Sequence, residues 1–381
     1  MVMSLSGTGR SRRFYGVDLV LVLTTLLVAG IGIVMVYTGS RGALITSGSP
    51  PRYFLERQLL FVILGIGTAA VLACIDYRRI EIVGMVIYGL TVTALLAVLV
   101  IGRSVQGAAR WFSLGPIEIQ PSEFAILALI AAVATYCARR DEGLAWPDVF
   151  KLLALAAVPM LLVMKQPDLG TAIVMFVVLL VMLAVAGLPA RILVILVLGA
   201  VLTIFVAAKV GLLHHYQIQR LTSFLNQDSH SAQVQKLVYN TTQSKIAISS
   251  GGAFGAGLNH GSQTSLGYVP EQQTDFIFSA VGEQLGFVGA TTLLLMLSVL
   301  SWRLLRAAQM ARDNFGRLLC AGLFTYVAYS VFQNAGMSMG IMPVTGIPLP
   351  FVSYGGSAAI CFFAAVGVAI SVYRQRSRRY A

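Results

Sequence analysis

Long apolar runs alternate along this chain with short polar breaks, and the runs are too long to be the helices of a soluble core. A membrane span needs about 20 predominantly apolar residues. Runs of that kind fall at 17–38, 57–75, 80–102, 122–138, 149–165, 170–187, 192–210, 276–300, 317–336 and 357–373. The pattern predicts an all-α integral membrane protein of ten transmembrane helices, one polytopic domain over 1–381. A long loop, 211–275, separates the seventh and eighth spans. The first run follows Arg10, Arg12 and Arg13, as in a signal peptide, but it is too long for an h-region and lacks a small-residue cleavage site. We read it as a span. Within the long loop, "SAQVQKLVYNTTQSKIAISS" sets Val234, Leu237, Val238, Ile246 and Ile248 among polar residues. That pattern predicts an amphipathic helix lying in the outer interface.

Charge gives the series a direction. Outside 209–275, seventeen Lys and Arg fall on the side of the N-terminus and six on the opposite side. Short basic loops stay cytoplasmic, so both termini are expected in the cytoplasm and the long loop outside the cytoplasmic membrane. Composition agrees, with 57% hydrophobic residues, 11% charged residues and a mean hydropathy of +0.82. Soluble domains carry about a quarter charged residues. The net charge of +12 raises nucleic acid as a partner. The basic residues are spread over short loops instead of gathered in one patch, which suits anionic membrane lipids and excludes nucleic acid. Cys74, Cys137, Cys320 and Cys361 sit inside apolar runs and read as small hydrophobes. His214, His215, His230 and His260 have no ligand spacing, so no metal site follows from them.

The polar breaks with chemical content gather on the outer side. In "PEQQTDF", Pro270 precedes a span, and Thr274 or Asp275 can cap it. Alternatively, Glu271 and Asp275 sit at a dielectric boundary, where a carboxylate is suited to act as a base. Glu283 follows eight residues later, about 12 Å along a helix, and an acid at that depth needs a polar cavity or a partner. In "RWFSLGPIEIQPSEF", Glu123 falls in a first helical turn after Pro121, with Arg110 and Trp111 as interface anchors. "KQPDLGT" leaves Lys165 and Asp168 at the rim, either as a local ion pair or as part of a site. "GGAFGAGLNHG" lacks the ending of a phosphate loop. It reads as a flexible loop whose N–H groups could form an anion nest. "PVTGIPLPFVSYGGS" is non-helical backbone between spans, tolerated only where it is buried in protein or lines a cavity. Together these breaks predict one shared outer cavity.

The order and wording of "FLERQL" (54–59), "GAARWFSLGPIEIQPSEFA" (107–125), "KQPDLGTA" (165–172), "QSKIAISSGG" (243–252), "PEQQTDFIFSAVGEQLGFVG" (270–289) and "GIMPVTGIPLPFVSYGGSA" (340–358) resemble the SEDS family of cell-wall polymerases. "PVTGIPLPF" is more similar to the RodA branch, which acts in elongation, than to the FtsW branch, which acts in division. The resemblance implies a ten-helix fold that polymerises lipid II beside a class B penicillin-binding protein. It also implies an essential Asp275 and maps the P-S-E glutamate to Glu123. The family pattern P-S-E-x-x-K departs here at Ile126. A substitute cation is therefore expected near Glu123, Arg110 first and Lys165 second.

Lipid II polymerisation turns an α-linked pyrophosphate donor into a β-1,4 glycan, an inversion that needs one base and no covalent intermediate. Asp275 is the expected general base. Glu123, Arg110, Trp111, Lys165, Asp168, Glu271, Thr274 and Glu283 are the expected substrate-binding residues. Arg110, Lys165, Arg220 or a divalent cation, Mg2+ or Mn2+, would stabilise the departing pyrophosphate on its undecaprenyl carrier. A lipid II flippase would instead need acids along a pathway reaching both faces. A scaffold would not need the recurrent acids.

Overall fold

The computed structural model describes residues 16–105, 108–114, 117–140, 143–210 and 232–375. Its helices are α1 (Leu19–Thr46), α2 (Tyr53–Cys74), α3 (Arg78–Ile101), α4 (Pro121–Ala138), α5 (Trp146–Lys165), α6 (Leu169–Val185), α7 (Ala190–Lys209), α8 (Ala232–Ser250), α9 (Ser262–Ser265), α10 (Ile277–Met310), α11 (Asn314–Ser338) and α12 (Gly356–Arg374). Among the described residues, eight of these are long and apolar enough to cross a membrane, while Leu169–Val185 and Ala190–Val206 are shorter apolar helices. This is a multi-pass membrane protein.

The expectation of an all-α chain needs a correction. Between α3 and α4 lies a three-stranded antiparallel sheet, β1 (Arg103–Val105), β2 (Ala108–Leu114) and β3 (Ile117–Ile119), in the order β1-β2-β3. β2 pairs Phe112 with Ile119 and Leu114 with Ile117. The local sequence is aromatic and β-branched, and "IEI" alternates with period two, which suits a ladder better than a coil.

α4, α11 and α12 are mostly buried and form the centre of the bundle, whereas α2 and α3 turn most of their length outward. That exposed surface is apolar, as with Ile82 (77% exposed) and Val100 (84%), because its solvent is lipid. The buried stripe of α1 runs Leu21, Thr25, Val28, Gly32, Met35, Val36 and Gly39, the 3–4 spacing of one helix face.

Two contacts fix the levels of α1 and α10. Asp18 caps α1 through the Leu21 N–H and forms an ion pair with Arg303 of α10 at 2.5 Å. At the other end, Gly39 faces Ala280 and Ile277. Glu283 lies twenty residues before Arg303, a stretch interrupted at Gly286 whose helical length would be about 30 Å, the thickness of a hydrocarbon core. Both helices continue past that level, α1 to Thr46 and α10 back to Ile277. A hydrocarbon core of about 30 Å measured from the Asp18–Arg303 pair would leave both helices projecting at the end that carries Asp275.

α8 forms where the amphipathic helix was expected, but it docks by a different face. Val238, Thr241, Ser244 and Ala247 are buried, spaced by three, while Tyr239 and Ile246 are exposed. Ser244 Oγ donates to Ser338 O of α11 at 2.7 Å, and Ile248 packs on Gly282 of α10. Small and hydroxyl side chains permit this close packing of helices. Val234 and Leu237 carry no described side chains, and the 211–231 part of the loop, with Arg220, lies outside the described residues.

Candidate active site

Asp275 sits in the turn 271–276, ahead of α10 rather than on it. The N-cap of α10 is Phe276, with no side-chain cap bond, so the N-cap position falls on neither Thr274 nor Asp275. The turn is held through its backbone instead. Asn334 Nδ2 of α11 donates to Asp275 O at 2.9 Å and to Ile347 O at 2.8 Å. Ser353 Oγ donates to Thr274 O at 2.6 Å, and the Tyr354 N–H donates to Gln273 O at 2.9 Å. Phe351, on the same loop, is a non-glycine residue at φ +65°, and Gly346 sits at φ +78°. A Cβ at Gly346 would lie 3.4 Å from Asp275 Oδ2, so this glycine keeps the proline-rich loop against the carboxylate.

The four breaks expected to share one site do meet. The proline-rich loop touches the "KQPDLGT" turn, where a Cβ on Gly170 would come within 2.6 Å of Thr345 O. Asp168 caps α6 by accepting from the Thr171 N–H at 3.1 Å and from Thr171 Oγ1 at 2.9 Å. Its Oδ2 also accepts from Gln120 Nε2 at 3.2 Å, and the Gln120 N–H donates to Ser357 Oγ at 2.8 Å. Arg110 on β2 donates from Nε to Gln166 O and from Nη2 to Pro167 O, each at 2.6 Å. Its Cζ lies 6.0 Å from the half-buried Trp111 ring. The local ion pair weighed for Lys165 and Asp168 does not form. Asp168 is engaged by Thr171 and Gln120, while Lys165 ends α5 with an exposed side chain that complements the helix dipole.

The expected substitute cation needs revision. Arg110 is not the cation for Glu123, because its donors hold the α5–α6 turn. Glu123 is buried and accepts from Tyr326 OH of α11 at 2.9 Å, so a hydroxyl supplies the expected partner. Ile126 is 2% exposed, in the apolar core.

Glu283 is fully buried and is built into the fold instead of facing substrate. Its carboxylate accepts from the Gln263 N–H at 2.7 Å, the Thr264 N–H at 2.8 Å and Thr264 Oγ1, at the start of α9. Gln272 Nε2 donates to Thr264 Oγ1 at 3.2 Å and to Ser279 Oγ at 3.3 Å, linking that anchor to the Asp275 turn. Glu271 is exposed at φ +50°, with Thr274 Oγ1 donating to its backbone O at 3.1 Å.

The glycine-rich stretch is not an anion nest. Its N–H groups at Gly255, Ala256 and Gly257 donate to Gly251 O, Glu283 O and Gln284 O. Among the described residues, no three His, Cys, Asp or Glu side chains gather to hold a metal ion. Sequence reasoning missed Asn334, Gln333 and Gln58. Gln333 Nε2 donates to Pro343 O at 2.8 Å, and Gln58 Nε2 to Ser353 O at 3.4 Å. The signal was present, since each is an amide inside an apolar run at the site end of its helix.

Comparison with known proteins sharpens this picture. Residues 18–378 match the FtsW/RodA/SpoVE family, described as cell cycle proteins. The stage V sporulation protein E of Bacillus subtilis is 37% identical over 365 residues, 94% of this chain and 97% of that one. A probable peptidoglycan glycosyltransferase FtsW of Trichlorobacter lovleyi is 36% identical over 93% of this chain and 92% of its own. The peptidoglycan glycosyltransferase MrdB of Escherichia coli K12 is 38% identical over 84% and 86%. Among solved structures, a chain of a peptidoglycan synthase complex, described as coordinating polymerization and crosslinking, superposes with a TM-score of 0.81. It is 30% identical, over 96% of this chain and 100% of that one.

Proposed function

The chain belongs to the FtsW/RodA/SpoVE family, and from that premise we propose how its site works as a peptidoglycan glycosyltransferase. Asp275 is the general base. The donor is a growing glycan on undecaprenyl pyrophosphate, and the acceptor is lipid II. The acceptor GlcNAc 4-hydroxyl attacks the donor anomeric carbon from the face opposite the pyrophosphate. The new C–O bond forms as the bond to pyrophosphate breaks, and the hydroxyl proton passes to Asp275. Configuration inverts in a single displacement.

The observation that carries this reading is the clamping of the 271–276 turn. Asn334, Ser353 and Tyr354 hold its backbone from α11 and the proline-rich loop, and the N-cap of α10 falls on Phe276. A base whose main chain is pinned from two other elements is placed before substrate arrives, which is the preorganisation that catalysis requires. Lys165, exposed at the end of α5, is the cation we assign to the departing pyrophosphate, since Arg110 is engaged with backbone carbonyls.

In the same proposal the protein spans the cytoplasmic membrane ten times, with both termini in the cytoplasm and the site on the outer face. The positive-inside balance supports that orientation. Identities of 37%, 36% and 38% to sporulation, FtsW and MrdB relatives lie too close together to separate the branches. The wording of "PVTGIPLPF" supports the elongation role. The synthase-complex neighbour supports a crosslinking partner, a class B penicillin-binding protein.

Asp275→Asn keeps size and hydrogen bonding but removes the base. Polymerisation of lipid II by the purified variant is expected to fall about a hundred- to ten-thousand-fold, with an unchanged melting temperature. Long glycan products at near-normal rate from a folded Asp275→Asn protein would end the assignment.

A further inference from the structure

α10 is broken at Gly286, whose φ of +67° and ψ of −167° are not helical. A break at this position frees four backbone groups. In a continuous helix, Glu283 O and Gln284 O would accept from the N–H groups of Phe287 and Val288. The glycine-rich stretch supplies a partner for each of the four. The Ala256 N–H donates to Glu283 O at 2.9 Å and the Gly257 N–H to Gln284 O at 3.1 Å. In return the Phe287 N–H donates to Gly252 O at 2.9 Å and the Val288 N–H to Ala253 O at 3.0 Å. The contact is backbone against backbone. A Cβ on Gly286 would overlap Gly255 N, one on Gly255 would overlap Gln284 O, and one on Gly251 would overlap Gly282 O.

The level of this joint matters. Phe287 lies sixteen residues before Arg303, about 24 Å of helix, which is less than the roughly 30 Å of a hydrocarbon core measured from the Asp18–Arg303 pair. Non-helical backbone at membrane depth is stable only where its polar groups are paired, and here both sides of the break are paired. The side chains leaving the joint are apolar and open. Phe254 is 84% exposed, Phe287 71% and Val288 49%. A phenylalanine that exposed, on a loop whose backbone is fixed rather than free to fold over it, needs an apolar solvent.

We propose that residues 251–257 are a re-entrant staple and that Phe254 inserts among the acyl chains of the leaflet on the site side. The staple ties the segment carrying α9 and the Asp275 turn to the bilayer as well as to α10. It is a lipid-contact site, and its occupant is the upper acyl region of that leaflet.

The test places an NBD fluorophore on Phe254→Cys in the full-length protein. The background is Cys74→Ser, since the other three cysteines are buried. The protein is reconstituted in phosphatidylcholine–phosphatidylglycerol vesicles containing lipids doxyl-labelled at acyl carbon 5. A label at Phe287→Cys serves as the lipid-facing reference and one at Ser262→Cys as the aqueous reference. The expected result is a blue-shifted NBD254 emission, quenched by doxyl lipid as strongly as NBD287 and at least threefold less accessible to iodide than NBD262. Quenching by iodide without quenching by doxyl lipid would place the loop in water and overturn the proposal. Protection from both quenchers would mean that protein covers Phe254, and would overturn it equally. Depth quenching does not depend on which face is outside, so this result stands apart from the orientation and from the role of Asp275.

Discussion

At the scale of single residues, two buried acids that look alike in sequence do different work from Asp275. Glu123 depends on one hydroxyl brought from another helix. Tyr326→Phe removes that donor and leaves a buried acceptor short of its partner, a loss of about 1–3 kcal/mol that thermal unfolding in nanodiscs should register. Ile126→Lys puts an ammonium three residues from Glu123 on the same helix face. Alone it is destabilising, because it ionises a core position. Combined with Tyr326→Phe, it should cost less than the sum of the two single changes. Strict additivity would show that position 126 does not reach Glu123. Sequence made both acids conspicuous but hid their partners, since Tyr326 lies 203 residues from Glu123 and Thr264 sits on a four-residue helix with no periodic signal. Asp275 stands out in the sequence because it follows Pro270 at the edge of a span.

Elements were read best where hydrophobic period alone decides them. Each of the ten predicted spans falls on a helix, although α1 runs eight residues past its predicted end at 38 and α10 ten past its end at 300. Polar residues end an apolar run before they end a helix. The strands were missed because three to seven residues between two breaks give too little alternation to separate from coil. The break in α10 was also hidden, because "QLGFVG" continues the apolar pattern through Gly286. Its physical cost is testable. Gly286→Ala forces an L-residue to φ +67° and drives a methyl group into the facing loop. A destabilisation of about 1–3 kcal/mol is expected from the backbone alone, with the steric overlap added to it. Gly30→Ala, at a helical glycine of α1 with open space around it, is the comparison. Equal melting temperatures for the two variants would mean that the loop gives way freely.

Across the whole molecule, the convergence of four distant breaks could be anticipated from their common side, but the joins between them could not. Those joins run through amides and main-chain atoms, Gln120 to Asp168, Arg110 to Gln166 and Asn334 to Ile347, which carry no pattern of their own. Orientation remains the assertion with the widest reach. A cysteine at Ser262 should react with an impermeant thiol reagent added outside spheroplasts, and one at Arg312, exposed between α10 and α11, should react only after lysis. The reverse pattern would invert the protein and its proposed chemistry. The overhang of α1 and α10 beyond the Asp18–Arg303 slab then acquires a mechanical meaning. Asp275 stands at a height set by protein, just ahead of a helix start at Ile277 that lies about 9 Å beyond the level of Glu283, while its substrates ride at a height set by lipid. Longer acyl chains lift the carrier headgroups toward the carboxylate and shorter ones lower them away. The enzyme is thereby a ruler with one end on the membrane, and its turnover should pass through an optimum as bilayer thickness is varied.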